Sequence, residues 1–237
     1  MADSSIHIAD GASGYFAHNS RERETVNSIF NDEQNFCSCD TKTAFEVYRS
    51  ELAKRSEAYT ERTGQKLQSK TVTHLSAIVN LNQHHTEADL KKLCDHLEKR
   101  YDTKVIQYSI HRDEGHINEN GTALKNYHAH IEFMGLDSQG NSIKRQLKRK
   151  ELIELQTDTA KILDMKRGTN YTAEQKPRPK RLDTYEYKNK AEALAKKTLA
   201  NENDLKAEIA QLRAELKEAK AVREDYAKLE ALNKDLK

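Results

Sequence analysis

The sequence predicts an α+β fold, in which an antiparallel sheet is flanked by helices and followed by a long C-terminal helix. Strand-like and helix-like segments interleave without the regular strand–helix–strand repeat of a parallel sheet. Both prolines of the chain, Pro177 and Pro179, stand together, and no proline or glycine follows them. The folded domain is therefore expected before these prolines and a helical extension after them.

The first elements follow from local composition. Residues Ser5 to Ala9 form a short apolar segment that we interpret as a strand. Thr43 to Thr63 is typical of a helix with a charged exposed face, which ends near Gly64. Thr71 to Leu81 is rich in β-branched and apolar residues, as strands are.

The later elements repeat the same kinds of signal. Thr86, with Asp89 three residues later, indicates the N-cap of a helix that reaches about Tyr101. Three elements then follow: a strand over Lys104 to Arg112, a strand over Tyr127 to Leu136 that leads into the turn Asp137 to Asn141, and a helix over Lys150 to Met165.

The C-terminal extension has the composition of a long helix. We place the domain boundary in the basic, proline-containing segment, which gives residues 1–175 to the folded domain and 176–237 to a linker and extension. Apolar residues follow the alternating four- and three-residue spacing of a coiled coil at Leu205, Ile209, Leu212, Leu216 and Ala219. This seam predicts a homodimer through the C-terminal helix, with a lone charged helix as the alternative.

The composition excludes a membrane protein and favours a cytoplasmic one. Hydrophobic residues make up 36% of the chain and charged residues 33%, with a mean hydropathy of -0.95. No stretch is apolar over the roughly 18 residues that a membrane span needs, and the N-terminus carries no secretion signal. Three cysteines without framework spacing favour reduced thiols.

Positive charge is concentrated locally, because the formal net charge is only +2 at pH 7. The segment before the last predicted helix contains Lys144, Arg145, Lys148 and Arg149 within six residues. Such density neutralises phosphates, so we predict that these four residues contact a nucleic-acid backbone. A solvated face is the alternative.

Two short motifs at the ends of neighbouring strands carry the densest chemistry. They are His111-Arg112-Asp113-Glu114 and Tyr127-His128-Ala129-His130. Residues two apart in a strand project from the same face, so His128 and His130 point together. The polar, glycine-containing segment between the motifs suits a hairpin loop, and antiparallel pairing then brings His111 opposite that pair. Three imidazoles on one side of a sheet predict a metal site with coordination positions left for substrate.

Other histidines fit this site less well. A single His-x-His is often incidental, and only the neighbouring His-x-Asp-Glu makes the signal specific. His116 lies in the polar loop, so we predict that it is not a ligand. Because it lies in the gap between the two motifs, the identity of the third ligand stays open. His84 and His85 precede a helix start, which predicts a surface position for both.

Together the motifs resemble the MobV (Pre/Mob) family of relaxases, members of the HUH endonuclease group named for a His-hydrophobe-His motif. The family's His-x-Asp-Glu and His-x-His patterns match residues 111–114 and 128–130, and its N-terminal His-Asn-x-Arg matches 18–21. Residues 150–156 resemble the stretch that follows the family's active-site hairpin. This chain departs from the pattern in a longer gap between the two histidine motifs and in Tyr127, which replaces a proline.

The resemblance implies a sheet of the HUH-relaxase type and a metal-dependent DNA endonuclease. Similar enzymes use Mn²⁺ or Mg²⁺ to nick one strand of plasmid DNA at the origin of transfer. A side-chain nucleophile attacks phosphorus, which leaves a free 3′-hydroxyl and a covalent 5′-phosphoryl link to the protein. The expected partner is therefore single-stranded or supercoiled plasmid DNA, and the expected process is conjugative mobilisation.

The resemblance also implies a role for each matching residue. His18 is the expected nucleophile, with Tyr15 as its local rival. Glu114 is expected to orient or deprotonate His18, with Asp113 as the second choice. The remaining expectations are metal binding by His111, His128 and His130, and contacts with DNA by Arg21 and Arg23, of which Arg21 would grip a phosphate beside the nick.

Two other function classes remain open at the level of sequence. The same histidines would serve a metal-dependent phosphoesterase of small substrates, which the basic segments and the C-terminal helix argue against. A non-enzymatic DNA-binding accessory protein, with structural histidines, is the second alternative.

Overall fold

A computed structural model describes residues 3–23, 25, 28–30, 34–117, 122–177, 193, 197, 201, 203–217 and 220. Two compact units divide the chain, the larger comprising Met1–His116 with Ala123–Pro179 and the smaller Ile117–Thr122 with Lys180–Lys237. Within the described residues, every helix is too short or too polar to cross a membrane.

The larger unit is built on a five-stranded antiparallel sheet in the order β1-β3-β7-β4-β2. A separate two-stranded sheet pairs β5 with β6 and lies in the chain between β4 and β7. The strands are β1 Ile6–Asp10, β2 Phe36–Cys37, β3 His74–Asn80, β4 Val105–His111, β5 Gly115–Ile117, β6 Ala123–Lys125 and β7 His128–Met134.

Two pairs of helices cover the two faces of the five-stranded sheet. The helices are α1 Gly14–Asn19, α2 Thr41–Thr63, α3 Glu87–Tyr101 and α4 Arg149–Ile162, and a 3-10 turn spans Ile143–Arg145. Helices α1 and α2 contact β4 and β7, whereas α3 contacts β4 and α4 contacts β1. The main apolar core lies under α3 and α4, and a smaller cluster around Phe16 lies under α1 and α2.

The central strand β7 separates an apolar face from a polar one. All seven of its residues are buried. Ala129, Ile131 and Phe133 belong to the main core, so the alternating residues His128, His130 and Glu132 face α1 and α2. Buried polar groups need partners, and this face therefore has to be built from hydrogen bonds or ligands instead of apolar packing.

Local signals explain where the long helices begin and end. The Asp40 side chain accepts a hydrogen bond from the Thr43 N–H at the start of α2, and Gly64 adopts a left-handed φ of 69° at its end. Thr86 and Asp89 form a complete capping box at the start of α3, as the sequence predicts.

The structure confirms the predicted α+β class, its antiparallel sheet and its long elements. Four short helices and strands were not predicted: α1 with six residues, β2 with two, and β5 and β6 inside the expected loop. The predicted surface position of His85 is wrong, because its side chain is buried and its Nε2 lies 2.8 Å from the Leu163 carbonyl oxygen. His84 is exposed, as predicted.

The C-terminal extension is helical over residues 203–217. Its apolar side chains Leu205, Ile209, Leu212 and Leu216 are between 48% and 58% exposed. Ala219 and the basic residues 178–181 lie outside the described residues. The coiled coil and the domain boundary therefore stay predictions.

Candidate active site and metal centre

Three histidines of the central strands lie side by side on the polar face of the sheet. His111 at the end of β4 pairs directly with His128 at the start of β7, and Ser109 pairs with His130. The ring centroids are 5.2 Å apart for His111–His128, 4.8 Å for His111–His130 and 5.0 Å for His128–His130. All three rings are at least nine-tenths buried, so the predicted convergence of imidazoles is present.

Hydrogen bonds to backbone carbonyl groups indicate which nitrogen of each ring carries the proton. His111 Nε2 lies 3.2 Å from the Asn19 carbonyl oxygen, and His128 Nδ1 lies 2.8 Å from that of Asn126. A carbonyl oxygen only accepts, so these contacts favour a proton on His111 Nε2 and on His128 Nδ1. The opposite nitrogens face Glu114, whose carboxylate oxygens lie 3.4 Å from His111 Nδ1 and 3.7 Å from His128 Nε2. His111 Nδ1 and His130 Nε2 are buried without a hydrogen-bond partner among the described residues. Unpaired, buried imidazole nitrogens fit a metal ion as their missing partner.

His18 lies on α1, and its ring packs against this cluster from the helix, whereas the other three rings project from the sheet. Its ring centroid is 5.0 Å from that of His111 and 5.1 Å from that of His130. Its Nε2 lies 3.7 Å from Glu114 Oε1, and its Nδ1 is 3.2 Å from Thr25 Oγ1. The side chain is 27% exposed, so it is the accessible histidine of the group.

Two overlapping groups have the spacing of metal ligands. One comprises His18, His111 and His130, and the other His111, Glu114 and His128, with ligand atoms within 4.8 Å of one another. Neither group contains all three sheet histidines, so the ligand set His111, His128 and His130 is a proposal, made because rigid strands position these rings and burial shields them. His18 then remains available to a substrate.

A salt-bridge network holds the carboxylates beside the histidines. Arg21 Nη2 donates to Asp113 Oδ1 at 2.5 Å and to Glu114 Oε1 at 2.8 Å. Ser28 Oγ donates to the other Asp113 oxygen at 2.5 Å. Arg21 adopts an uncommon left-handed φ of 60°, which its guanidinium contacts offset. The structure brings Asp113 and Glu114 to the site as expected, and it engages Arg21 with both.

The electrostatics of the site suit a cation. Burial, together with the neighbouring His111, lowers the pKa of His18 to about 4. Burial also lowers the pKa of His128 and of His130, so these imidazoles are neutral near pH 7. Although burial alone would raise the pKa of Glu114, its contacts with His111, His128 and Arg21 lower it to about 2. Two carboxylates and one guanidinium leave one net negative charge.

An open cavity of about 430 Å³ adjoins the histidine cluster. Asn80 in its wall pairs directly with His128 across β3 and β7, and the Asn126 backbone binds the His128 ring. Amide side chains dominate its polar lining, which consists of Asn80, Asn82, Gln83, His84, Lys125, Asn126 and Tyr127. Amide groups both donate and accept hydrogen bonds, as the edges of nucleobases do.

The structure does not bring the predicted basic cluster to the histidines. Lys144 pairs with Asp10 at the end of β1, which lies in register with Phe133 through β3. Phe133 is five residues from His128, roughly 17 Å along the strand. Arg145, Lys148 and Arg149 are exposed on the same segment, and Arg23 is exposed after α1.

Several partners of the site residues carry no motif of their own. Thr25 and Ser28 contact His18 and Asp113 from the irregular segment after α1. Asn35 Oδ1 accepts from the Arg112 N–H at 2.8 Å. Their only signal in the sequence is that polar residues follow the His-Asn-x-Arg motif, which does not identify a contact.

The fold of this chain is that of a known group of DNA-bound enzymes. No protein-family model matches the sequence, and no curated protein matches it either. A Mn-bound crystal structure of the MobM relaxase domain (MOBV; Mob_Pre) with 22-nucleotide plasmid pMV158 oriT DNA and a 3′-thiophosphate is 15% identical, with a TM-score of 0.56. It is matched over 79% of this chain and 98% of that chain.

Two further MobM structures agree with this match. The Mn-bound complex with 22-nucleotide oriT DNA has a TM-score of 0.57 at 14% identity, over 79% of this chain and all of that one. The complex with 26-nucleotide oriT DNA has a TM-score of 0.51 at 13% identity, over 78% and 99%. The similarity thus spans essentially the whole MobM domain, and it shows a shared fold.

Proposed function

We propose that this chain is a relaxase of the MobV (Mob_Pre) family, which nicks one strand of plasmid DNA at an origin of transfer for conjugative mobilisation. The observation that carries the proposal is the placement of His18 against the His111–His128–His130 cluster. The MobM fold, found bound to oriT DNA and manganese, supports the same conclusion. The resemblance of three ordered motifs supports it independently of the fold.

The three sheet histidines would hold a divalent cation, Mn²⁺ or Mg²⁺. Each ring offers one lone pair in the form that binds a metal, and Asp113 and Glu114 together with Arg21 leave one net negative charge that favours a cation. When bound, such a cation polarises the scissile phosphate and neutralises charge on its oxygens.

His18 is the proposed nucleophile. Arg21 Nη1 donates to Thr25 Oγ1, whose remaining lone pair can accept the His18 Nδ1 proton. This arrangement leaves the Nε2 lone pair free to attack phosphorus. The bond from phosphorus to the 3′ oxygen breaks, and the 3′ oxygen takes up a proton from solvent. The 5′ phosphoryl group stays on Nε2, and the ring, which keeps its Nδ1 proton, becomes positively charged.

Glu114 and Asp113 orient this nucleophile through Arg21. Glu114 is ionised at neutral pH and lies 3.7 Å from His18 Nε2. Its low pKa makes it a weak base, so we assign it mainly to orienting His18 and stabilising positive charge on that ring. Arg21 would hold the carboxylates and, with Arg23, approach the phosphates beside the nick.

The test of this function is a nicking assay on supercoiled plasmid that carries the DNA flanking the protein's own gene. With Mn²⁺, we expect a nicked product that survives SDS and is released by protease, and EDTA should abolish it. Nicking without a covalent adduct would indicate a phosphoesterase. DNA binding without nicking would indicate an accessory protein.

The basic segment is proposed to contact DNA away from the nick. Changing Arg145, Lys148 and Arg149 to glutamine should flatten the dependence of log affinity on log salt by roughly one unit for each phosphate that is no longer neutralised. Lys144 should contribute least, since Asp10 already pairs with it.

Fluorescence anisotropy of labelled oriT-region DNA across a salt series measures this slope. The matched control neutralises Lys91 and Lys92, which are exposed on α3 across the sheet from His18. An unaltered slope in the first variant would mean that this segment faces only solvent.

We propose that residues 1–175 carry the relaxase activity and that 176–237 form a helical extension. A seam this short is marginal for a stable helix pair. We therefore expect weak, concentration-dependent dimerisation that disappears on truncation after Arg181, while nicking is retained. Sedimentation equilibrium of both proteins tests this, and equal masses at high concentration would contradict the dimer.

A further inference from the structure

A second buried polar cluster lies beside the histidines on the same face of the sheet. Glu132 of β7 is fully buried. Its Oε1 accepts hydrogen bonds from Ser76 Oγ at 2.7 Å and from Asn19 Nδ2 at 3.2 Å, and its Oε2 lies 2.7 Å from His74 Nε2. A buried carboxylate needs this many partners, but none of them is required by the proposed chemistry.

Phe16 of α1 and the backbone at Gly11 pack closely against the His74 ring. The ring of Phe16 from α1 stacks on the His74 ring at a centroid distance of 4.9 Å. A Cβ atom on Gly11 would come within 2.4 Å of the same ring, so only glycine allows the backbone to pass there. The chain that leads into α1, and the helix itself, thus pack against His74 next to the Glu132 contact.

Asn19 connects Glu132 to the candidate metal centre. Its side chain binds Glu132, and its backbone carbonyl oxygen accepts from His111 Nε2 at 3.2 Å. The donor to a carboxylate must be the amide nitrogen, which fixes the orientation of the Asn19 side chain. Asn19 also follows His18 directly in the chain, so one residue contacts the candidate metal ligand His111 and neighbours the candidate nucleophile His18.

We propose that Glu132 and Asn19 are positioning residues, which hold the α1 carbonyl over His111 and thereby fix its Nε2–H tautomer. In that tautomer the Nδ1 lone pair is free for a cation. Without the Asn19 side-chain contact, the carbonyl is released and the His111 proton can move to Nδ1, where it blocks coordination. Partners of this kind typically change metal affinity by about 10- to 100-fold. The proposal rests on the proposed function only for the identity of the ligand.

The test compares three variants of the full-length protein. Asn19→Ala removes the side-chain hydrogen bond to Glu132, and we expect about tenfold weaker Mn²⁺ binding. Glu132→Gln keeps an acceptor oxygen for Asn19, so its affinity should stay within about threefold. Ser76→Ala is the matched control, because it removes a hydrogen bond to the same Glu132 oxygen without touching α1.

Two measurements are made on each variant. Calorimetric titration with Mn²⁺ gives the affinity, and long-range ¹H–¹⁵N NMR of the metal-free protein reports the tautomer of His111. We expect the Nε2–H tautomer in wild type, Ser76→Ala and Glu132→Gln, and mixed tautomers in Asn19→Ala.

Wild-type tautomer and affinity in Asn19→Ala would overturn the proposal. An equal loss of affinity in Ser76→Ala, or in Glu132→Gln, would also overturn it, since the effect would then be general destabilisation or loss of charge. The NMR result is independent of the proposed function. If the wild type bound no Mn²⁺, the metal assignment would fail, while the tautomer comparison would still decide the positioning role.

Discussion

Replacing His130 or His128 with alanine should abolish nicking and weaken Mn²⁺ binding by more than about 100-fold, beyond the loss typical of outer-shell partners. Each change removes one of three converging imidazoles and leaves the cation with two. Calorimetric titration of the purified variants measures the affinity directly. The expected order of Mn²⁺ affinity is wild type far above either alanine variant.

His116→Ala is the matched control for this experiment. His116 lies on β5, is exposed, and belongs to neither candidate ligand group among the described residues. Its replacement should leave Mn²⁺ affinity and nicking within about threefold of wild type, as expected for a surface substitution. Unchanged Mn²⁺ affinity in His130→Ala would contradict the ligand assignment, and a large loss in His116→Ala would point to it as the third ligand.

Thermal unfolding separates loss of a ligand from loss of the fold. His130 Nε2 is buried without a hydrogen-bond partner among the described residues. His130→Ala therefore removes an unpaired polar group, which stabilises the fold, and leaves a small cavity, which destabilises it. Wild-type protein should gain Tm on addition of Mn²⁺, because a ligand that binds only the folded state stabilises it. His130→Ala should unfold cooperatively and lose that gain.

The candidate site on the sheet could be predicted because its signal is local. Three polar residues recur with a period of two in the otherwise apolar strand β7, and a second histidine motif ends the neighbouring strand. Strand periodicity and antiparallel pairing then bring His111 opposite His128 without further information. The capping box of α3 and the glycine at the end of α2 are local signals of the same kind.

Features that depend on tertiary contacts could not be predicted. Helix α1 has only six residues, too few for an amphipathic period, and it exists because Phe16 packs under α2. The burial of His85 depends on the Leu163 carbonyl, which is 78 residues away. The hydrogen bond between Asn19 and Glu132 joins two residues that are 113 positions apart in the sequence.

The position of the basic residues relative to the histidines also depends on the sheet and not on distance along the chain. The basic residues 144–149 follow β7 in sequence, but a strand carries its two ends apart, and they lie at the end away from His128. A substrate strand bound across the sheet would still reach both places if it spans several nucleotides. The expected contact is therefore with the DNA backbone at a distance from the nick, which carries no sequence specificity.

His18→Ala should eliminate the covalent DNA adduct, while Tyr15→Phe should form it at a rate within about threefold of wild type. His18 Nε2 faces the histidine cluster and Glu114. Tyr15 stands three residues earlier on the same helix, is 39% exposed, and makes no hydrogen bond or ring contact with the cluster among the described residues. Both variants should bind DNA with unchanged affinity, since the His18 ring is uncharged at neutral pH and Tyr15→Phe removes only a hydroxyl group. Adduct formation is measured by SDS gel electrophoresis, with the label on the DNA segment whose 5′ phosphate becomes attached to the protein.

The chemistry of the adduct gives a second answer that does not depend on how the variants fold. A histidine nucleophile forms a phosphoramidate, whose P–N bond is labile in acid and stable in base, whereas a tyrosine phosphodiester survives mild acid. The wild-type adduct should therefore release its DNA on brief acid treatment and persist in alkali. An acid-stable adduct that still forms with His18→Ala would transfer the role to a tyrosine. The proposed ligand set on the sheet would still stand after that outcome, because His111, His128 and His130 belong to β4 and β7 and none of them is the nucleophile.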